Sequence, residues 1–397
     1  MLTHIVMALL GAALATGLLL VLYQPTGGSL PGSGAVPAPA ASPPPLPGSE
    51  QGIVTKVKPG LVIINTTLQY SSEAAAGTGM VINADGLVLT NNHVIDDSTK
   101  ITATVASTGQ TYFARVVGYD KTGDIALIQL RNASGLTTVP IGNSSSVKTG
   151  TAVVALGNAE GQGAITATPG HITALNQTIT ASNDAGSTAS ETLHGMIQTN
   201  ADIVPGDSGG PLASSAGVIG IDTAGDNAND QQQAATGFAI PINTALSVAR
   251  QIAGGRASSV ITIGYPPFVG IFIGPGSSSS PQAQARQQEQ QNGGPGGTGG
   301  TPACSRNNAD LGVPSAIAPA GSGTLVIGTI CGSPAASAGM TGGAVITAVN
   351  GKAVGSPDDL ASILSRFHPG DTISVTWVSP SGQRTTRSLH LAAGPPQ

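Results

Sequence analysis

The stretch Asp202-Ile-Val-Pro-Gly206-Asp207-Ser208-Gly209-Gly210-Pro211-Leu212 sets a serine among glycines that let the backbone turn sharply and aim N–H groups at one point. A serine hydroxyl is a poor nucleophile at neutral pH. It needs a base within hydrogen-bond reach, and the base needs a carboxylate to orient it. Of the six histidines, His93 in Leu89-Thr-Asn-Asn-His93-Val-Ile95 follows an apolar strand at its polar end, where a side chain projects from a rigid scaffold. Asp124 opens the apolar run Ile125–Leu130, a position where a carboxylate is partly buried and wants a partner. His93, Asp124 and Ser208 are therefore the candidate catalytic set. The same Gly-x-Ser-x-Gly pentapeptide marks the elbow of α/β-hydrolases, but that elbow requires a strand–turn–helix context and the chain order Ser, Asp, His. Neither holds here.

Around these residues, from Gln51 to about residue 240, short β-branched runs are broken by Gly, Asn, Asp and Ser: Leu61–Asn65, Gly79–Ile82, Leu87–Thr90, Ile101–Val105, Ile125–Leu130, Ala152–Leu156, Met196–Thr199 and Val218–Asp222. Strands at this spacing indicate a sandwich or barrel. The absence of long amphipathic helices between them argues against a doubly wound sheet. A helix capped by Asn243, with Leu246, Ala249 and Ile252 as its apolar stripe and Gly254 closing it, is expected to seal this unit. A second unit spans 257–395. It shows strands over 324–330, 345–349, 372–378 and 384–391, a short helix begun by Ser333 and Pro334, and a turn at Asn350-Gly351. Its main helix, 357–367, has Ser356 as cap, Pro357 first, Asp358 and Asp359 in the positive first turn, and Leu360, Ile363, Leu364 and Phe367 facing inward. Between 274 and 323 lies a Gly/Ser/Gln/Pro-rich insert whose composition predicts disorder.

At 397 residues the chain has room for two or three domains. A net charge of −5, only 9% charged residues and no basic run leave no electrostatic footprint for nucleic acid. Cys304 and Cys331 are too few for a disulfide scaffold, and no His/Cys cluster has zinc spacing, so neither metal nor cofactor is expected. His171, His194, His368 and His390 read as surface or strand residues. Gly157–Gly163 lacks a P-loop lysine and reads as a loop lining a cleft. Residues 1–23 carry the uncharged apolar run Ile5–Tyr23, close to the roughly 20 residues that a helix needs to cross a bilayer. The run is longer than a signal-peptide core and ends in Leu-Tyr-Gln-Pro, so it reads as an uncleaved membrane anchor with the rest outside the cytoplasm. Were it cleaved, the protein would be secreted. Residues 24–50 contain eight prolines and behave as a semi-extended tether.

TNNHVI around His93, GDIALIQL around Asp124, GDSGGPL around Ser208 and the later GFAIP together resemble the HtrA-like branch of the trypsin-like serine proteases. The chain is most similar to actinobacterial secreted members with one PDZ domain, from about Gly52 onward apart from the insert. The resemblance implies a mainly β fold: a chymotrypsin-like pair of six-stranded β-barrels over 51–256, then a C-terminal PDZ domain over 257–395. It implies a serine endopeptidase that cleaves unfolded or exported polypeptides without a cofactor and assembles as a homotrimer. In it Ser208 attacks the scissile carbonyl, His93 moves the proton, Asp124 fixes the imidazole tautomer, and the Gly206 and Ser208 amides form the oxyanion hole. Phe268-Val269-Gly270-Ile271 resembles the PDZ loop that receives a peptide's terminal carboxylate, with the peptide added as a strand beside helix 357–367. GGAVITAVNG and HPGDTISVTW support the likeness, although Ala344 replaces the usual Asp.

Two departures from the family carry expectations. Asp207 stands where Asn is more usual, as in trypsins whose carboxylate pairs with an N-terminus freed by cleavage. Ile53-Val54 lacks the Gly-Gly of such a start, so Asp207 is expected to be satisfied internally. Asp202 stands where trypsin holds its specificity carboxylate. Either it selects Lys or Arg before the scissile bond, or it faces solvent while Ala224, Gly237, Phe238 and Ala239 wall a pocket for small apolar residues. Asp96 and Asp97 are expected in solvent. Cys304 and Cys331 could pair outside the cytoplasm and pin the insert, or stay free. The rival to a protease is a non-catalytic peptide-binding or chaperone-like envelope protein.

Overall fold

Alternation along the first strand separates two cores. Val62 and Ile64 point into one cluster with Val81, Val88, Ile101 and Ile128, whereas Leu61 and Ile63 point into another with Leu89, Leu127, Val154 and Leu156. The computed structural model describes residues 46–68, 73–182, 190–223, 236–274, 278–291, 304–306 and 312–396. The apolar run 5–23, nearly all of the tether, Ala224 and the middle of the insert lie outside them. Among the described residues no helix is long and apolar enough to cross a membrane.

Strands β1 (Leu61–Leu68), β2 (Glu73–Val81), β3 (Leu87–Thr90), β4 (Lys100–Val105), β5 (Thr111–Asp120) and β6 (Ile125–Leu130) pair in the order β5-β4-β1-β2-β3-β6, and β5 also pairs β6, which closes a six-stranded barrel. Strands β7 (Ala152–Gly157), β8 (Thr166–Ser182), β9 (Ser190–Thr199), β10 (Pro211–Ser214), β11 (Gly217–Thr223) and β12 (Gly237–Pro241) close a second, in the order β10-β11-β12-β9-β8-β7. Val153, Ala155, Ile172, Ile197, Leu212 and Ile219 fill its interior. The shared core between the barrels also takes in Ile53 and Val57 of helix α1 (Gly48–Val57) and Ile242, Ala245, Ala249 and Ile252 of helix α2 (Ile242–Ala253). The folded region thus begins a few residues before 51. Asn243 does not cap α2. Pro241 occupies that position, and the Asn243 amide instead donates to Asn143 Oδ1 at 2.8 Å and Ser145 Oγ at 3.0 Å. Gly254 closes the helix as expected, its N–H donating to Arg250.

Beyond α2, β13 (Ile261–Ile263) pairs with β5, and a third unit follows. Its parts are β14 (Pro267–Phe268), β15 (Ile271–Ile273), β16 (Thr324–Thr329), β17 (Val345–Val349), β18 (Lys352–Ala353), β19 (Thr372–Val378), β20 (Arg384–His390) and β21 (Ala392–Ala393). The sheet order is β15-β16-β17-β19-β20, with β18 beside β17, and β14 pairs β21 separately. Asn350 and Gly351 both have positive φ, 48° and 77°, the backbone that a tight β17–β18 hairpin demands. Ser333 caps helix α4 (Pro334–Ser337), and Ser356 Oγ accepts from Asp359 N at the start of helix α5 (Pro357–Leu364), which buries Leu360 and Ile363.

The insert is not uniformly structureless. Pro281–Gln291 forms helix α3 against β16, although no apolar stripe announces it. Gln284 is fully buried. Its amide donates to Gly323 O at 2.7 Å and Ser278 O at 2.8 Å, while its carbonyl accepts from Leu325 N at 2.7 Å. One polar side chain replaces the missing hydrophobic face by completing backbone hydrogen bonds at the start of β16. Gln284→Ala strands buried Leu325 N and Gly323 O, and chemical denaturation should show a loss of about 2 kcal/mol in the stability of this unit. An unchanged denaturation midpoint would contradict that role.

Candidate active site

His93 sits on the turn after β3, and Asp124 is the last residue of the turn before β6, with φ of 50°. The two strands are paired, Thr90 opposite Ala126, so their ends bring the side chains together. His93 Nδ1 lies 2.9 Å from Asp124 Oδ2 and 3.1 Å from Oδ1. The buried carboxylate also accepts from His93 N at 3.0 Å and from Thr223 Oγ1 at 3.0 Å, and Asn91 Nδ2 donates to the Asp124 carbonyl at 2.9 Å. A buried charge needs such donors. Imidazole Nδ1–H donation orients the ring, whose side chain remains 29% exposed.

Ser208 lies on the loop between β9 and β10, and the first barrel holds that loop. Thr78 N donates to Ser208 O at 2.9 Å, and Thr78 Oγ1 donates to Gly206 O at 2.8 Å while accepting from Asn158 N at 2.9 Å. Thr90 Oγ1, three residues before His93, donates to Thr78 O at 2.7 Å. Gly209 (φ 84°) packs against both threonines so closely that a Cβ would overlap Thr78 O and Thr90 Oγ1; only glycine fits. Gly206 (φ 95°) is pressed in the same way against Asn158 O, within the Gly157–Gly163 loop expected to line the cleft. Among the described residues no acceptor faces the amides of Gly206 and Ser208.

Asp207 is only half satisfied. Its Oδ2 accepts from Val204 N at 3.1 Å, whereas Oδ1 has no donor among the described residues. Ile53 lies inside α1, its side chain in the shared core, and supplies no terminal amine. Burial, and then the charge of Asp202, push the Asp207 carboxyl up to about 6. Asp96 also departs from expectation. It is partly covered, and burial followed by the charge of Asp97 pushes it up to about 6, while Asp97 is exposed and its N–H donates to Pro396 O at 2.9 Å.

Asp202 is exposed. Gly237, Phe238 and Ala239 of β12 stand opposite Thr199, Gln198 and Ile197 of β9, and Gly237 abuts Ile203 and Ala201 O, so the wall at Gly237 is small and apolar. In the third unit Phe268 lies on β14 and Val269 is buried. Gly270 (φ 78°) accepts through its carbonyl from Ile330 N and Ser333 Oγ, both at 3.0 Å, and Ile271 opens edge strand β15 in the same cluster as Leu360 and Ile363 of α5. Cys304 and Cys331 are joined in a disulfide. Among the described residues no cluster of His, Cys, Asp or Glu could hold a metal ion. Sequence reading missed Thr78, Thr90, Asn158, Thr223 and Asp222. All are ordinary strand or loop residues, and only Thr90, which opens TNNHVI, and Asn158, inside the Gly157–Gly163 loop, fall in stretches that drew attention.

Two closed barrels, a glycine-bound serine and a histidine–aspartate pair define a protein of the trypsin-like class. A family model described as a trypsin-like peptidase domain matches residues 77–221, and one described as a PDZ domain matches 327–378. Serine protease PepD of Mycobacterium tuberculosis is 31% identical over 383 residues, 92% of this chain and 70% of its own length. Periplasmic serine endoprotease DegP of Escherichia coli is 39% identical over 186 residues, 46% of this chain and 37% of its own length. A solved HtrA-type protease, AlgW with a tripeptide, covers 87% of the chain at 26% identity and a TM-score of 0.45. The chain belongs to the HtrA-like family of serine endopeptidases that carry a PDZ domain.

The raised carboxyls have a thermodynamic consequence. Asp96 and Asp207 hold protons in the folded state that the unfolded chain has released by about pH 4. Stability therefore falls as pH rises from about 4 through about 6. Thermal unfolding of the Ser208→Ala protein should give a higher midpoint at pH 5 than at pH 7.5, and the reverse order would contradict these environments.

Proposed function

We propose that this chain is an extracytoplasmic endopeptidase that cleaves peptide bonds of unfolded or exported proteins, with Ser208 as nucleophile, His93 as base and Asp124 as the group that orients it. The hydrogen bond from His93 Nδ1 to Asp124 is the observation that supports it most. With its Nδ1 proton committed to the carboxylate, the ring presents an unprotonated Nε2 that can take the proton of Ser208 Oγ as oxygen attacks the scissile carbonyl. The Gly206 and Ser208 amides, which have no acceptor among the described residues, would receive the oxyanion. The imidazolium then protonates the leaving amine. Water, activated by the same ring, hydrolyses the acyl-enzyme.

Asp202 in solvent and the Gly237–Ala239 wall favour a small apolar residue before the scissile bond. In the PDZ domain, edge strand β15 beside α5 suits a peptide added as a strand, its terminal carboxylate held at Phe268, Val269, Gly270 and Ile271. The apolar run 5–23 would anchor the protein in the membrane with the barrels outside, and three copies would associate. Ser208→Ala should abolish both fluorophosphonate labelling and casein cleavage. Asp124→Asn, which leaves a neutral partner for the ring, should lower kcat by about 10,000-fold. A folded wild-type protein that neither labels nor cleaves casein would instead be a peptide-binding or chaperone-like protein.

A further inference from the structure

Asp222, the penultimate residue of β11, is fully buried and plays no part in the reaction as drawn. Among the described residues neither of its carboxylate oxygens has a hydrogen-bond donor, and Asp207 Oδ1 has none either. The two side chains reach adjacent residues of β7. The Asp207 carboxyl presses on Gly157, and the dipole that most favours the Asp222 charge is the amide of Leu156, the residue before it. Their backbones are laced together as well: Gly209 N donates to Asp222 O at 2.9 Å, Asp222 N to Gly210 O at 2.7 Å, and Gly210 N to Asp207 O at 2.8 Å.

Two carboxylates in a dry space cannot both be ionised unless a cation joins them. Among the described residues the groups acting on the pair are the carboxylate of Asp202 and the amides of Val204 and Leu156, with no lysine, arginine or histidine. Burial first and the charge of Asp207 second push Asp222 well above the ordinary carboxylate range. A proton held between the two groups would satisfy two of the three orphaned oxygens, one on each carboxyl, with one charge-assisted O–H···O bond.

We propose that Asp207 and Asp222 share one proton, and that this carboxyl pair is the positioning device for the loop that carries Ser208. Its place explains what it does. Ser208 follows Asp207 directly, and Thr223, which donates to Asp124, follows Asp222. One side-chain bond therefore adds to the two backbone hydrogen bonds that tie the nucleophile loop to the strand supporting the histidine's partner. Loss of the last proton at alkaline pH would set two like charges against each other and open the loop. The inference rests on Ser208 being the nucleophile.

The test is a difference infrared spectrum of the whole protein, wild type minus Asp222→Asn, at pH 8, where Asp96 is ionised. It is paired with the rate of Ser208 labelling by a fluorophosphonate as pH rises. Expected are the carbonyl stretch of a protonated carboxyl group in the wild type and a labelling rate that falls about tenfold per pH unit above the pair's last ionisation. Asp222→Asn, whose amide donates to Asp207 at any pH, should lose that fall. Absence of the band from wild type, or an alkaline fall unchanged in Asp222→Asn, would overturn the proposal. Should Asp222→Asn not fold, Asp207→Asn supplies the same subtraction, and the wild-type band decides alone if neither folds. A protein with the band that never labels would keep the shared proton and refute the proteolytic reading.

Discussion

Thr78 carries the constraint on which the site depends. Through one amide and one hydroxyl, this residue of the first barrel holds the backbone of the second barrel's serine loop at Gly206 and Ser208. Thr90 holds Thr78 in turn, and three residues later the same chain becomes His93. His93 and Ser208 are thus positioned by one run of hydrogen bonds between two barrels that share an apolar core. A site at such a junction gains rigidity from both sides, because neither barrel can shift without breaking buried polar contacts.

Four carboxylates near this junction meet three different fates. Asp124 is buried but receives donors from His93 and Thr223, so its charge has partners. Asp202 stays in water. Asp207 and Asp222 are buried beside each other with too few donors, and protonation, rather than ion pairing, is the inexpensive way to satisfy them. The donors that the fold brings to each side chain are what separate these environments.

Much of this was legible in the sequence. The runs Leu87–Thr90, Ile125–Leu130, Val345–Val349 and Thr372–Val378 coincide with strands, because alternation and flanking turn residues fix their ends. Strands β5 and β8 were not legible. Thr111–Asp120 contains Arg, Gly and Tyr among its apolar residues, and Thr166–Ser182 is polar and bulged, so pairing with neighbours rather than composition makes them strands. Helix α3 escaped notice for a related reason, since Gln284 docks it by hydrogen bonds where a hydrophobic stripe would be expected. His93, Asp124 and Ser208 stood out because their chemistry needs rare neighbours. Thr78, Thr90 and Asp222 act through backbone and burial, which only the folded chain reveals.

A structure of the protein after reaction with a peptidyl phosphonate tests the central claim most directly. Convergence of the three side chains predicts phosphorus bonded to Ser208 Oγ, the phosphoryl oxygen about 2.7–3.1 Å from the Gly206 and Ser208 amides, and His93 still bound to Asp124. An adduct on any other residue, or one whose phosphoryl oxygen points away from both amides, would contradict it.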